Sequence, residues 1–99
     1  VWSPNYPKPY YADSNCNQYV QSMFFDKFQL VFKKIDTVKD VDVITIYDGP
    51  STDDPILGTV SGQRAEAIFK SSGKWLTINF NVRSKNVTKG GWDADVISQ

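Results

Sequence analysis

Val43-Ile44-Thr45-Ile46-Tyr47-Asp48-Gly49-Pro50 is the stretch whose reading decides the fold. Its first four residues are β-branched, and such side chains favour a pleated strand. Asp48-Gly49-Pro50 then ends it. Glycine reaches positive φ freely, and proline has no N–H to give to a ladder. A polar loop over 51–55 follows, and Ile56-Leu57-Gly58 returns the chain to the core. A central strand over 42–48 and a tight corner are therefore expected, and the rest of the chain is placed around them.

Upstream, residues 1–15 carry Pro4, Pro7 and Pro9, which exclude a helix and a central strand. Asn17 to Met23 reads as a strand, and Phe24 and Phe25 fall at the turn after it. Phe28, Leu30 and Phe32 alternate with Lys27, Gln29, Val31 and Lys33, a period of two with one buried face. Asp36 to Asp42 is a charged loop. Downstream, Gln63 to Lys70 reads as one short strand with Ala65, Ala67 and Phe69 on one parity. Ser71 to Lys74 is a turn. Trp75 to Val82 is a strand with Leu76, Ile78, Phe80 and Val82 facing in and Thr77, Asn79 and Asn81 facing out. Arg83 to Gly91 is a basic loop, and Trp92 to Ile97 is the last strand. Short strands joined by turns, with no helix among them, imply an all-β antiparallel sandwich.

The 99 residues suffice for one domain over 1–99, and 40% hydrophobic with 14% aromatic residues suffices for a core. The aromatic interior is expected from Phe28, Phe32, Tyr47, Phe69, Trp75, Phe80 and Trp92, each contributing about 1.5–3 kcal/mol when well buried. Eleven basic and eleven acidic residues cancel, so no global field draws the chain to nucleic acid. No apolar run is long enough to span a bilayer, and any secretory signal is expected to lie outside this chain or to have been removed. The chain has no His, which removes the commonest general base and zinc ligand together. A Ser-His-Asp or Cys-His site cannot be built, and no catalytic residue is assigned. The single Cys16 has three readings: a buried free thiol, a bridge to a partner outside the chain, or an intermolecular bridge.

The ordered set of motifs resembles the CUB domain family over nearly the whole chain. It comprises Ser3-Pro4-Asn5-Tyr6-Pro7, Pro9-Tyr10, Cys16 at a strand start and Phe28-x-Leu30-x-Phe32. It continues with Asp42 and Tyr47-Asp48-Gly49, Leu57-Gly58, Gly62, Leu76-x-Ile78-x-Phe80 and Gly91-Trp92-x-Ala94. The resemblance implies a jelly-roll-like sandwich in a larger extracellular protein, secreted or on the cell surface, that binds without catalysis, although such domains also accompany extracellular proteases. It implies two disulfides. Cys16 matches the second cysteine, whose partner, with the family's first strand, would lie upstream of Val1. The third would fall near Lys39 and the fourth at Ser61, so both halves of that bridge are absent together. An unformed bridge forgoes roughly 2–4 kcal/mol. The tryptophan usual two residues after the second cysteine is Gln18 here.

Many members bind calcium at one end, through a Glu after the long early strand, an Asp before the organising strand and an Asp after the Leu-x-Ile-x-Phe strand. Calcium takes six to eight oxygen ligands. Asp42 matches the middle ligand. Asp36 or Asp40 could stand in for the first, which falls near Val38. Arg83 occupies the third, and a guanidinium opposes a divalent cation. Asp42 and Asp36 are thus the calcium candidates, with no cofactor favoured. The plain alternative for Asp42 is a surface turn carboxylate paired with Arg83.

The same end carries Lys39, Arg83, Lys85 and Lys89, which suggests an inverted binding end for an acidic protein partner, against the plain reading of a solvated basic loop. The alternative partner is a glycan or glycosaminoglycan held by the basic loop around Arg83. Asn86-Val87-Thr88 in that loop is an N-glycosylation sequon. Trp2, Tyr6, Tyr10 and Tyr11 offer an aromatic platform or, more plainly, a seal over the sandwich edge, which if left open could support a homodimer. The function expected is extracellular recognition or adhesion through end loops or a sheet face.

Overall fold

The structure is a computed structural model and describes residues 1–98; Gln99, inside the expected 1–99 domain, lies outside them. Eight strands run in chain order, with no helix among the described residues. They are β1 (Asn15–Gln21), β2 (Phe28–Asp36), β3 (Val43–Tyr47), β4 (Ile56–Val60), β5 (Gln63–Arg64), β6 (Ala67–Lys70), β7 (Trp75–Asn81) and β8 (Gly91–Ser98). One sheet has the order β1-β7-β3-β4. In the other, β2 is central, pairing with β8 along Phe28 to Asp36 and with β6 and then β5. All pairings are antiparallel. This is the expected all-β sandwich.

The core lies between the sheets. Phe28, Leu30, Phe32, Ile35 and Trp92 face Ile44, Ile46, Leu76, Ile78 and Phe80, all at 2% exposure or less. The rings meet edge to face, the geometry their quadrupoles favour: Phe32 and Trp92 at 5.4 Å, Phe80 and Trp92 at 6.2 Å. The buried indole N–H of Trp92 has no hydrogen-bond partner among the described residues.

The expected corner is present. The Asp48 amide donates to the Pro55 carbonyl at 2.8 Å, closing the 51–55 loop. A side chain at Gly49, where φ is +156°, would push the Asp54 carboxylate off the Ser51 amide and hydroxyl it accepts from, so glycine is favoured there. The N-terminal segment lies along β8: the Ser3 amide donates to Trp92 O, and the Ala94 amide to Val1 O. Gly91, at φ +92°, leaves room for the Ser3 hydroxyl, which accepts from the Trp92 amide at 3.0 Å.

Several expectations need correction. The Asn17–Met23 strand runs over Asn15–Gln21 instead. The expected Gln63–Lys70 strand is two, broken at an exposed Ala65, because β2 is paired first by β5 and then by β6. Ile56 to Val60 is a full strand on the sheet edge, and β2 extends to Asp36 to bury Ile35. Tyr47 and Trp75 are half-buried on the outer face of their sheet, not in the core. Phe69 is also half-buried, edge-on to Phe32 at 5.9 Å. Thr77 faces outward yet is fully buried, its hydroxyl donating to Gly49 O at 2.8 Å.

Candidate functional site

The end of the sandwich where β2, β3 and β7 meet their loops is organised by Asp42. Asp42 precedes β3, so the strand that decides the fold also fixes this carboxylate. It is fully buried. Its Oδ1 accepts from the Arg83 amide at 2.9 Å and the Ser84 amide at 3.0 Å. Its Oδ2 accepts from the Tyr10 hydroxyl and the Ser84 hydroxyl, both at 2.6 Å. Burial alone would raise this carboxyl. The bonds from Ser84, Tyr10 and the two amides outweigh it and hold the carboxyl below its ordinary range.

Four donors from two loops therefore converge on one anion. Tyr10 is itself buried, packed edge-on to Phe80 at 4.8 Å, and its oxygen accepts from the Val38 amide at 3.3 Å. Burial first, then the carboxylate beside it, raises its phenol well above the ordinary range. Thr37 closes the same loop from inside, donating to Asp42 O at 2.9 Å and accepting from the Gly62 amide at 3.0 Å.

Arg83 does not pair with the Asp42 carboxylate through its side chain, and Asp42 is no surface carboxylate. The Arg83 guanidinium instead donates to Val41 O at 3.2 Å and Asp40 O at 3.0 Å. These bonds satisfy two loop carbonyls just before β3. Asp36 accepts from the Gln63 side chain and the Gly90 amide, each at 3.3 Å. Both Asp42 oxygens are filled by N–H and O–H donors, which would have to leave before an ion could approach. No group of three or more His, Cys, Asp or Glu side chains able to hold a metal occurs among the described residues. The residues of this end do not fit calcium.

The four basic candidates share the end but not one role. Lys85 pairs with Asp13 at 2.9 Å, and Arg83 is committed to the 40–41 carbonyls. Lys39 is exposed and Lys89 half-buried, and neither has an ion pair among the described residues. Lys39 lines a shallow polar groove of about 480 Å³ with Asp40, Ser61, Gly62 and Arg64. Asn86 is exposed in the loop, with Val87 packed against the core beside it.

Lys39 and Ser61, where the third and fourth cysteines were expected, are brought together. The Asp40 amide donates to the Ser61 hydroxyl at 3.0 Å, and Lys39 packs against Gly62. Cys16 is half-buried on the inward side of β1, opposite Phe80, with no bridge partner among the described residues. Of the aromatic platform, Tyr10 is in the core, Trp2 and Tyr11 are exposed, and Tyr6 is half-buried.

The sequence reading missed Tyr10 and Ser84 as members of this site. A tyrosine after a proline-rich run and a serine after Arg83 carry no pattern that announces a shared acceptor.

Comparison with known proteins agrees with this fold. The family model of the CUB domain matches residues 1–96. The chain is 35% identical to human cubilin over 75 residues, covering 72% of this chain and 2% of cubilin. It is 37% identical to human CUB and zona pellucida-like domain-containing protein 1 over 92 residues, covering 89% of this chain and 15% of that protein. The chain thus spans a small part of the relatives it matches. Among solved structures, the MASP-1 CUB2 domain bound to Ca2+ superposes with a TM-score of 0.80 at 20% identity, covering 99% of this chain and 89% of that one. The CUB1-EGF-CUB2 region of human MASP-1/3 gives 0.77 at 21%, covering 98% and 39%. With its sandwich, its Tyr47-Asp48-Gly49 corner and its matched residues 1–96, the chain belongs to the CUB domain family.

Proposed function

We propose that this domain is a non-catalytic recognition module of a larger extracellular protein, binding another protein through the loops around Asp42. The single observation that carries the reading is the saturation of Asp42. One buried anion ties the 10–14, 37–42 and 82–84 segments together, so the end is rigid before any partner arrives. A preorganised surface spends less of its binding free energy on ordering. Membership in a family of extracellular binding modules supports the location and the function class. The absence of His in the chain supports a role without catalysis.

Lys39 and Lys89 are the cations left to face a partner, and they favour an acidic protein segment. The glycosaminoglycan reading comes second, since Arg83 and Lys85 already have partners. Asn86 accepts a glycan at the rim of this end, and a mass shift removed by glycosidase checks that directly. Cys16 bridges to a cysteine outside the chain, which peptide mapping of the secreted parent protein tests.

The experiment is a binding screen of the immobilised domain against extracellular ectodomains, with and without chelator. Binding insensitive to chelator and weakened by Lys39→Glu with Lys89→Glu is expected. A partner whose affinity ignores those changes and maps elsewhere on the domain sinks the end-loop reading.

A further inference from the structure

The sheet β1-β7-β3-β4 turns one face to the core and one to solvent. Its solvent face has no acidic or basic side chain along the paired rows. Asn17, Asn79, Thr45 and Thr59 stand in register across the four strands. Tyr19, Thr77, Tyr47 and Ile56 form the next row. The chain carries 22% charged residues, so such a face is a departure from its own composition. The outer face of the other sheet follows the usual pattern, with Lys33 paired to Asp93 at 3.6 Å and Asp95 at 3.3 Å.

The amides of this face are ordered. The Asn79 side-chain amide donates to Asn15 Oδ1 at 2.7 Å and Asn17 Oδ1 at 2.8 Å. That leaves Asn79 Oδ1 and the Asn15 Nδ2 group without a partner among the described residues, on an open surface. Tyr19 beside them is 56% exposed, and Trp75 is half-exposed two residues along β7 from Thr77. Thr77 is fully buried although it points outward, its hydroxyl donating to the Gly49 carbonyl of the turn after β3.

With Asn17 Nδ2 bonded to the Tyr19 oxygen at 3.4 Å, the Asn15 NH2 group is the donor and Asn79 Oδ1 the acceptor left to pair with a ligand's hydroxyls. The aromatic rings offer apolar faces for sugar C–H groups. The face lacks charge, which matches a ligand without charge and gives sulfated or carboxylated chains no advantage. We infer that the outer face of β1-β7-β3-β4 binds a neutral oligosaccharide, with the Asn15 NH2 group and Asn79 Oδ1 bonding its hydroxyls and Tyr19 and Trp75 stacking on its rings. This face is separate from the Asp42 loops and stands independently of their proposed role.

The test is a titration of the isotope-labelled domain with neutral gluco-, manno-, galacto- and N-acetylglucosamine oligosaccharides, with a heparin oligosaccharide as the charged control. One neutral series should shift the side-chain amide signals of Asn15, Asn17 and Asn79 and the indole signal of Trp75. Raising the salt concentration should leave the affinity unchanged. Tyr19→Ala and Asn79→Ala should each lower it by about tenfold, with thermal stability checked for each variant. Asn17→Ala serves if either fails to fold. The inference is overturned if no neutral series shifts this face at millimolar concentration, if the shifts map to the 36–42 and 83–89 loops, or if the face shifts with protein concentration alone, which would make a second copy its occupant.

Discussion

The hydroxyl of Tyr10 donates to Oδ2 of Asp42 at 2.6 Å, a bond across 32 residues of sequence and wholly inside the protein. It joins the proline-rich N-terminal segment to the strand that organises the sheet. Because Tyr10 also receives the Val38 amide and packs on Phe80, one side chain couples a loop, a core ring and an anion.

Asp42→Ala leaves two hydroxyls and two amides facing a void. Each unsatisfied buried donor costs about 1–3 kcal/mol, so the variant should lose more than about 3 kcal/mol. Asp42→Asn should be milder. Its oxygen can keep the Arg83 and Ser84 amides, and its NH2 can turn toward the Tyr10 and Ser84 oxygens. Urea unfolding of both variants checks the order. An alanine variant as stable as the parent would show that the four bonds contribute nothing.

The same site sets two pH limits. The Asp42 carboxyl is held below its ordinary range, so its stabilising contribution is present above the unfolded carboxylate pKa and is lost as pH falls through the lower folded value. Tyr10 behaves in the opposite sense. Its folded pKa is raised above the ordinary 10.0, so its contribution is full below that pH and declines as pH rises beyond it. Tyr10→Phe should therefore flatten the alkaline fall, keep an acid fall, and lower stability at neutral pH by about 1.5–3 kcal/mol, the range for a bond to a charged group. Unfolding free energies across the pH range distinguish this from a general loss of packing, which would lower the whole curve evenly.

Much of the fold was legible because its signals are local. Alternation in Phe28 to Phe32 and Leu76 to Phe80 reports a buried face without knowledge of the partner strand. The corner at Asp48-Gly49-Pro50 carries its own turn chemistry. Ile56 to Val60 was less legible, because an edge strand with Ile56 and Leu57 exposed lacks a clean alternation. Tyr47 and Trp75 are hydrophobic enough to suggest the core, but their parity along β3 and β7 sets them outside. Asp42 was legible as a site residue but not as a saturated one. Its four donors come from positions 10, 83 and 84, and only the closed sandwich brings these together.

Calcium should not stabilise this domain. A ligand that binds only the folded state at a hundred times its Kd adds about 2.7 kcal/mol, which a melting curve resolves easily in a domain of this size. Millimolar calcium, or a chelator, should leave the midpoint unchanged, because the Asp42 oxygens are already occupied by donors. A calcium-dependent rise would mean that Tyr10 and Ser84 yield to the ion. Tyr10→Phe with Ser84→Ala, which strips both hydroxyls, would then raise calcium affinity further.

The Lys39–Ser61 neighbourhood should accept the bridge that the chain lacks. The Asp40 amide reaches the Ser61 hydroxyl at 3.0 Å, and a Cβ built on Gly62 would lie 3.4 Å from the Lys39 Cβ, so the 39–40 and 61–62 segments run side by side, the arrangement a bridge between 39 and 61 requires. Lys39→Cys with Ser61→Cys, made in a Cys16→Ser background, should lose both thiols on air oxidation. Closing this loop should add roughly 3 kcal/mol by restricting the unfolded chain. In a domain of this size that corresponds to a midpoint rise of about 10–20 °C, abolished by reductant. Thiol titration and paired melts measure both quantities. Two persistent thiols would place the side chains out of reach despite the close backbones. A bridge that forms without raising the midpoint would mean that strain at Gly62, held at φ +83°, cancels the gain.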